Sequence, residues 1–139
     1  MKIKKLRDTA IILTHPYSGD AGLDLYSDAQ IPINVGQTAL VSTGIAVELP
    51  PDHFGLIMPR SGLSTERGIL LCSSGIIDSG YRGEIIVGLI NLGTHPYIIF
   101  PKERVAQLII IPFYSPALEI VEKLSDSGRG DKGHGSSGK

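Results

Sequence analysis

Residues Glu84–Tyr114 read EIIVGLINLGTHPYIIFPKERVAQLIIIPFY, and their reading decides the fold class. Three apolar runs, Glu84–Leu92, Tyr97–Phe100 and Arg104–Tyr114, are separated by short segments holding Gly93, Pro96 and Pro101. β-Branched residues bounded by Gly and Pro make strands joined by tight turns. In Leu108–Pro112 the apolar side chains are consecutive, so a helical period fails and burial on both faces is expected. Working outward, Thr38–Leu49 and His53–Met58 have the same character. Turn signals recur at intervals of about eight to twelve residues, the spacing of a jelly-roll-like β-sandwich or barrel. One short helix is expected around Ser64–Arg67, after PRSG (59–62). Strands apolar on both faces need a second covering layer, which in a chain of 139 residues points to neighbouring subunits.

Composition excludes some classes of function. The formal net charge is −1, which gives no bulk attraction to nucleic acid or membrane. Lys2, Lys4, Lys5 and Arg7 make the N-terminus basic, but no apolar run follows as in a signal peptide, and no segment has the length of a membrane span. The single cysteine, Cys72, forms no internal disulfide and suits a reducing cytoplasm. The four histidines are scattered without ligand spacing, so no protein cage for a metal is expected.

The composition changes after Leu124. Ser125–Lys139 holds five glycines, four serines and no aliphatic or aromatic side chain. Two parts are therefore expected: a β domain, 1–124, and a flexible arm, 125–139. Ordering each arm residue costs about 1–2 kcal/mol with no apolar burial to offset it, so only a highly charged ligand would hold the arm. Gly133–Lys139, GHGSSGK, fits the string G-x-x-x-x-G-K of a phosphate-binding loop, yet a helix after it to supply its N–H groups is not expected.

Four internal stretches carry polar side chains in telling places. In PRSGLS (59–64), Arg60 offers a donor fork, Ser61 a hydroxyl and Gly62 close backbone approach, a set suited to phosphate oxygens or to a capped surface turn. In GIIDSGYRGE (75–84), Ile76 and Ile77 end a strand, Ser79-Gly80 make a two-residue hairpin turn, and Tyr81 begins the return strand. Asp78 is then either a turn former or a general base beside a Tyr81 platform. AGLDL (21–25) sets Asp24 among leucines; buried, it requires a cation, and Arg60 and Arg104 are the candidates. ERVAQLI (103–109) is a core strand carrying Arg104 and Gln107.

Taken in order, AGLDL, PRSGLS, GIIDSGYRGE, ERVAQLI and RGDKGHGSSG (129–138) resemble the five motifs of the homotrimeric deoxyuridine triphosphatase (dUTPase) family, over nearly the whole chain. The resemblance implies hydrolysis of dUTP to dUMP and pyrophosphate, which limits uracil incorporation into DNA and supplies dUMP for dTMP synthesis. It implies Asp78 as the base activating water. Arg60, Ser61, Gly62, Gln107 and Arg129 would surround the triphosphate, with Asp24 and Arg104 in support. Mg²⁺ would be held by the triphosphate and water, not directly by the protein. Backbone groups of Gly75, Ile76 and Ile77 would read uracil, Tyr81 would exclude a ribose 2′-OH, and the arm, with His134, Gly135 and Ser136, would close over the nucleotide at a site shared between subunits. Most of the family places phenylalanine where His134 stands, and some members an asparagine where Cys72 stands. Two alternatives share the fold. A dCTP deaminase would need a glutamate at the position of Gly88, and a non-catalytic nucleotide-binding regulator would need no intact Asp78, Tyr81 and Arg129.

Overall fold

The structure, a computed structural model, describes residues 1–73, 75–131 and 133. The expectations for His134, Gly135 and Ser136 lie outside the described residues. Among the described residues ten strands run in chain order: β1 (Lys2–Lys5), β2 (Gly22–Tyr26), β3 (Ile31–Ile33), β4 (Thr38–Glu48), β5 (His53–Met58), β6 (Ile69–Leu71), β7 (Ile76–Ile77), β8 (Glu84–Asn91), β9 (Tyr97–Ile99) and β10 (Arg104–Pro112). The turn signals thus mark strand ends to within a residue or two. Among the described residues one short helix of the π type, Gly62–Glu66, follows β5. Its Ser64 and Thr65 hydroxyls donate to the carbonyls of Arg60 and Ser61, closing the turn without any help from a long helix.

Two four-stranded antiparallel sheets, ordered β1-β4-β8-β6 and β2-β10-β5-β7, face each other, and β3 pairs with β9 in a small third sheet. This is the all-β sandwich expected. Its core is filled from both sheets: Val41, Ile45, Ile85, Val87 and Leu89 from one, Leu25, Ile57, Val105 and Leu108 from the other. Each of these side chains is at most 3 % exposed. At about 25 cal/mol per Å² of apolar surface removed from water, this layer is the main source of stability.

In a lone chain Leu108 is buried and Ile109, Ile110 and Ile111 are half-buried, which leaves room for the second covering layer expected of neighbouring subunits. One expectation changes. The Ser79-Gly80 turn exists, with Tyr81 N–H donating to Asp78 O at 3.0 Å, yet it is no hairpin. β7 pairs with β5 in one sheet, whereas the next strand, β8, starts only at Glu84 and pairs with β4 and β6 in the other. The physical reason is burial: Ile77 packs into the core from one side and Ile85 from the other, so the chain must cross the sandwich edge. After Pro112 the described chain forms no strand or helix and is exposed throughout.

Candidate active site

Asp24, on β2, is fully buried. An isolated carboxylate there would carry a large desolvation cost. Arg60 Nη1 meets its Oδ1 at 3.1 Å and Arg104 Nη1 its Oδ2 at 3.4 Å, and Gln107 Nε2 lies 3.5 Å from Oδ1. The strand pattern alone does not allow this. Arg104 and Gln107 are three residues apart and would face opposite sides of a regular strand. A register shift between Arg104 and Ala106, where β10 runs beside β2, restores them to one side. The arginines keep one flank in solvent, with side chains 22 % and 48 % exposed, and Ser61 and Gly62 lie beside Arg60, both exposed. The result is a preorganised cluster with two guanidinium groups, one buried carboxylate and donors left over for an anion.

Asp78 belongs to a different place. It is exposed, and its carboxylate makes no hydrogen bond or ion pair among the described residues. With Tyr81, Ile76, Ile77, Glu84 and Ile86 it lines a cleft of about 240 Å³. Arg82 donates to the carbonyls of Ser79 and Tyr81, at 2.6 and 2.9 Å, and so clamps the turn. Tyr81 donates its hydroxyl to Glu84 O at 3.0 Å, and its ring lies against Gly83, where a Cβ would come within 2.3 Å of the hydroxyl oxygen. Only glycine at 83 permits that ring position. Arg82 and Gly83 were not singled out from sequence, although both stand in the quoted turn motif.

Strand β5 measures the gap between these groups. Ile77 pairs with Gly55, which sets Asp78 beside Phe54 at one end of β5; Gln107 pairs with Met58 at the other end, and Arg60 lies two residues further. From Phe54 to Met58 is four steps, roughly 13 Å at strand spacing, and the Arg60 guanidinium lies against Asp24 at the Met58 level, across β10 on the side away from β7. A single chain therefore does not bring Asp78 and Arg60 together. Arg129 lies exposed on the turn closed by Gly130 N–H to Ser127 O, 3.1 Å.

The two-sheet sandwich thus carries a cationic cluster towards one end of β5 and a tyrosine-flanked carboxylate at the other. The dUTPase family model matches residues 8–138. The chain is 44 % identical over 139 residues to the deoxyuridine 5'-triphosphate nucleotidohydrolase of Clostridioides difficile, covering 99 % of this chain and 97 % of that protein. It is 45 % identical to the protein of the same description from Crocosphaera subtropica, covering 99 % and 98 %. Among solved structures, the Staphylococcus bacteriophage 80alpha dUTPase with dUPNHPP superposes with a TM-score of 0.92 at 30 % identity, covering 99 % and 98 %. The chain belongs to the dUTPase family, the enzymes that hydrolyse dUTP to dUMP and pyrophosphate. Among the described residues no helix is long and apolar enough to cross a membrane.

Proposed function

We propose that this chain hydrolyses dUTP at sites each assembled from more than one copy, with Asp78 of one copy facing the Arg60–Arg104 cluster of another in a homotrimer. The observation that carries this reading is the separation along β5: both halves carry the expected groups, at opposite ends of one strand. Exposed apolar side chains support an oligomer, since Tyr114, Leu118, Ile120 and Leu124 are each at least 80 % exposed in a lone chain. A cytoplasmic setting, with no nucleic-acid or membrane partner, suits a chain of near-neutral charge with one cysteine.

Asp78 takes a proton from water as that oxygen attacks the α-phosphorus, and the bond to the bridging oxygen breaks to release pyrophosphate. A carboxylate is a weak base towards water, so most of the acceleration comes from positioning and charge neutralisation. Arg60, Ser61, Gly62 and Gln107 receive the triphosphate, Asp24 and Arg104 hold Arg60 in place, and Arg129 closes from the arm with His134, Gly135 and Ser136. The donor set fits magnesium arriving with the nucleotide. Asp24, the carboxylate of the cluster, is committed to two arginines. Bound to the triphosphate and water, Mg²⁺ would neutralise phosphate charge.

Backbone groups of Gly75, Ile76 and Ile77 would read the uracil edge. An unpaired donor facing the cytosine amino group would cost about 1–3 kcal/mol. Tyr81 would bar a 2′-OH. A deaminase reading meets an obstacle at Gly88, which has no side chain to shuttle a proton. The test is incubation with dUTP or dCTP and Mg²⁺, assaying pyrophosphate and ammonia separately. Pyrophosphate from dUTP alone is expected; ammonia from dCTP overturns the reading. Sedimentation equilibrium showing a monomer at micromolar concentration would overturn the shared site.

A further inference from the structure

The N-terminal segment carries one side chain that ties three distant parts of the fold together. Arg7 Nε donates to Asp28 Oδ2 and its Nη2 donates to Glu84 Oε1. The same Glu84 oxygen accepts from Gly44 N–H at 2.7 Å, and Leu6 N–H donates to Gly44 O at 2.8 Å. Asp28 is held in turn by its own N–H to Ser42 O, 2.8 Å. Its side chain is 5 % exposed, against 20 % for Glu84 and 44 % for Arg7. Arg7 therefore locks the first residue of β8 against the irregular middle of β4, where the register shifts between Ser42 and Ala46. The neighbouring Thr9 side chain and then Arg7 hold the Asp28 carboxyl below the ordinary carboxylate range.

Glu84 is also the residue whose carbonyl accepts the Tyr81 hydroxyl, and it lines the cleft shared by Asp78 and Tyr81. We infer that Arg7 is a positioning residue for sugar discrimination: by fixing Glu84 through its carboxylate, it fixes the carbonyl that tethers the Tyr81 ring. The inference rests on the reading of Tyr81 as the group that bars a 2′-OH. Arg7 itself lines none of that cleft. It acts on the ring from behind, through one backbone carbonyl. Freed of the clamp, the start of β8 can shift and the ring can swing, which admits the larger sugar while leaving Asp78 and the phosphate groups in place.

The experiment measures kcat/KM for dUTP and UTP in the full chain and in Arg7→Ala, Arg7→Lys, Tyr81→Ala, Tyr81→Phe and the Arg7→Ala/Tyr81→Phe double variant. The ratio of the two values is independent of how much protein is correctly folded, so general destabilisation does not imitate the effect. Arg7→Ala should lower the dUTP:UTP ratio by about tenfold, the effect of losing one well-placed polar contact. Arg7→Lys, which retains the charge without the two-pronged reach, should fall between. In the Tyr81→Phe background the tether is already lost, so Arg7→Ala should lower the ratio little further. If Tyr81→Ala lowers the ratio while Arg7→Ala does not, or if the double variant is additive, the inference is overturned and the reading of Tyr81 stands. If Tyr81→Ala leaves the ratio unchanged, both are overturned. If Arg7→Ala does not fold, the comparison rests on Arg7→Lys, and a wild-type ratio in that variant overturns the inference.

Discussion

The two ends of β5 solve opposite problems with the same residue type. At one end the Asp24 carboxylate is buried and held by two arginines and a glutamine; at the other the Asp78 carboxylate stands in solvent with no partner among the described residues. A carboxylate paired in this way has its oxygens committed to neighbouring donors and serves as a fixed counter-charge. A carboxylate left open keeps its lone pairs for water. The contrast separates an aspartate that builds the site from one proposed to work in it.

The largest expected effect breaks the comparison at its spatial claim. Asp78→Asn and Arg60→Ala should each lose about 10²–10⁴-fold in kcat. If the halves come from different subunits, mixing and reassembling equal amounts of the two dead variants should restore about a quarter of wild-type activity, because that fraction of sites draws both intact residues. No recovery after verified subunit exchange would place the whole site in one chain.

Stability should separate the two aspartates next. Asp24→Asn leaves two guanidinium groups facing each other without their counter-charge. It should cost about 3 kcal/mol, towards the low end for a broken buried pair because both arginines reach solvent. Asp78→Asn should change stability by no more than about 0.5 kcal/mol. Urea denaturation of both variants checks this, and equal midpoints would mean that the Asp24 cluster is not structural.

Removing residues 125–139 tests whether a third group completes the pair of halves. Loss of Arg129 and the arm's N–H groups should lower kcat/KM by roughly 10–100-fold, the value of one or two charge-assisted hydrogen bonds. The melting temperature without nucleotide should hold, since none of these side chains is apolar. Full activity in the truncated protein would remove the arm from the site.

The smallest effect concerns the support behind the phosphate half. Tyr97 donates its hydroxyl to Glu103, the residue before Arg104, and burial followed by that hydrogen bond pushes its pKa up to about 12. An unfolded tyrosine releases its proton near pH 10, so between about pH 10 and 12 the unfolded chain binds fewer protons than the native one and stability falls as pH rises. Below pH 10 the contribution is fully present. Tyr97→Phe should flatten the slope in that window in chemical denaturation; an unchanged slope would show that Tyr97 is not its source.

Local chemistry wrote much of this into the sequence. Runs of isoleucine and valine between Gly and Pro determined the strands, because each strand's pattern and its breaks are local properties. The need of a buried carboxylate for cations singled out Arg60 and Arg104 as partners for Asp24, and the order of five short motifs marked the family. Only the tertiary structure decided the rest. The bulge that turns Arg104 and Gln107 to one side depends on register against β2, which no single strand encodes. GIIDSGYRGE reads as a hairpin locally, but it crosses between sheets because Ile77 and Ile85 are drawn into the core from opposite sides. Arg7 and Glu84 meet across 77 positions of sequence, an encounter no local spacing reveals. The separation of Asp78 from Arg60 likewise emerges only when β5 is laid between β7 and β10, since pairing, not chain order, sets which side chains can share a site.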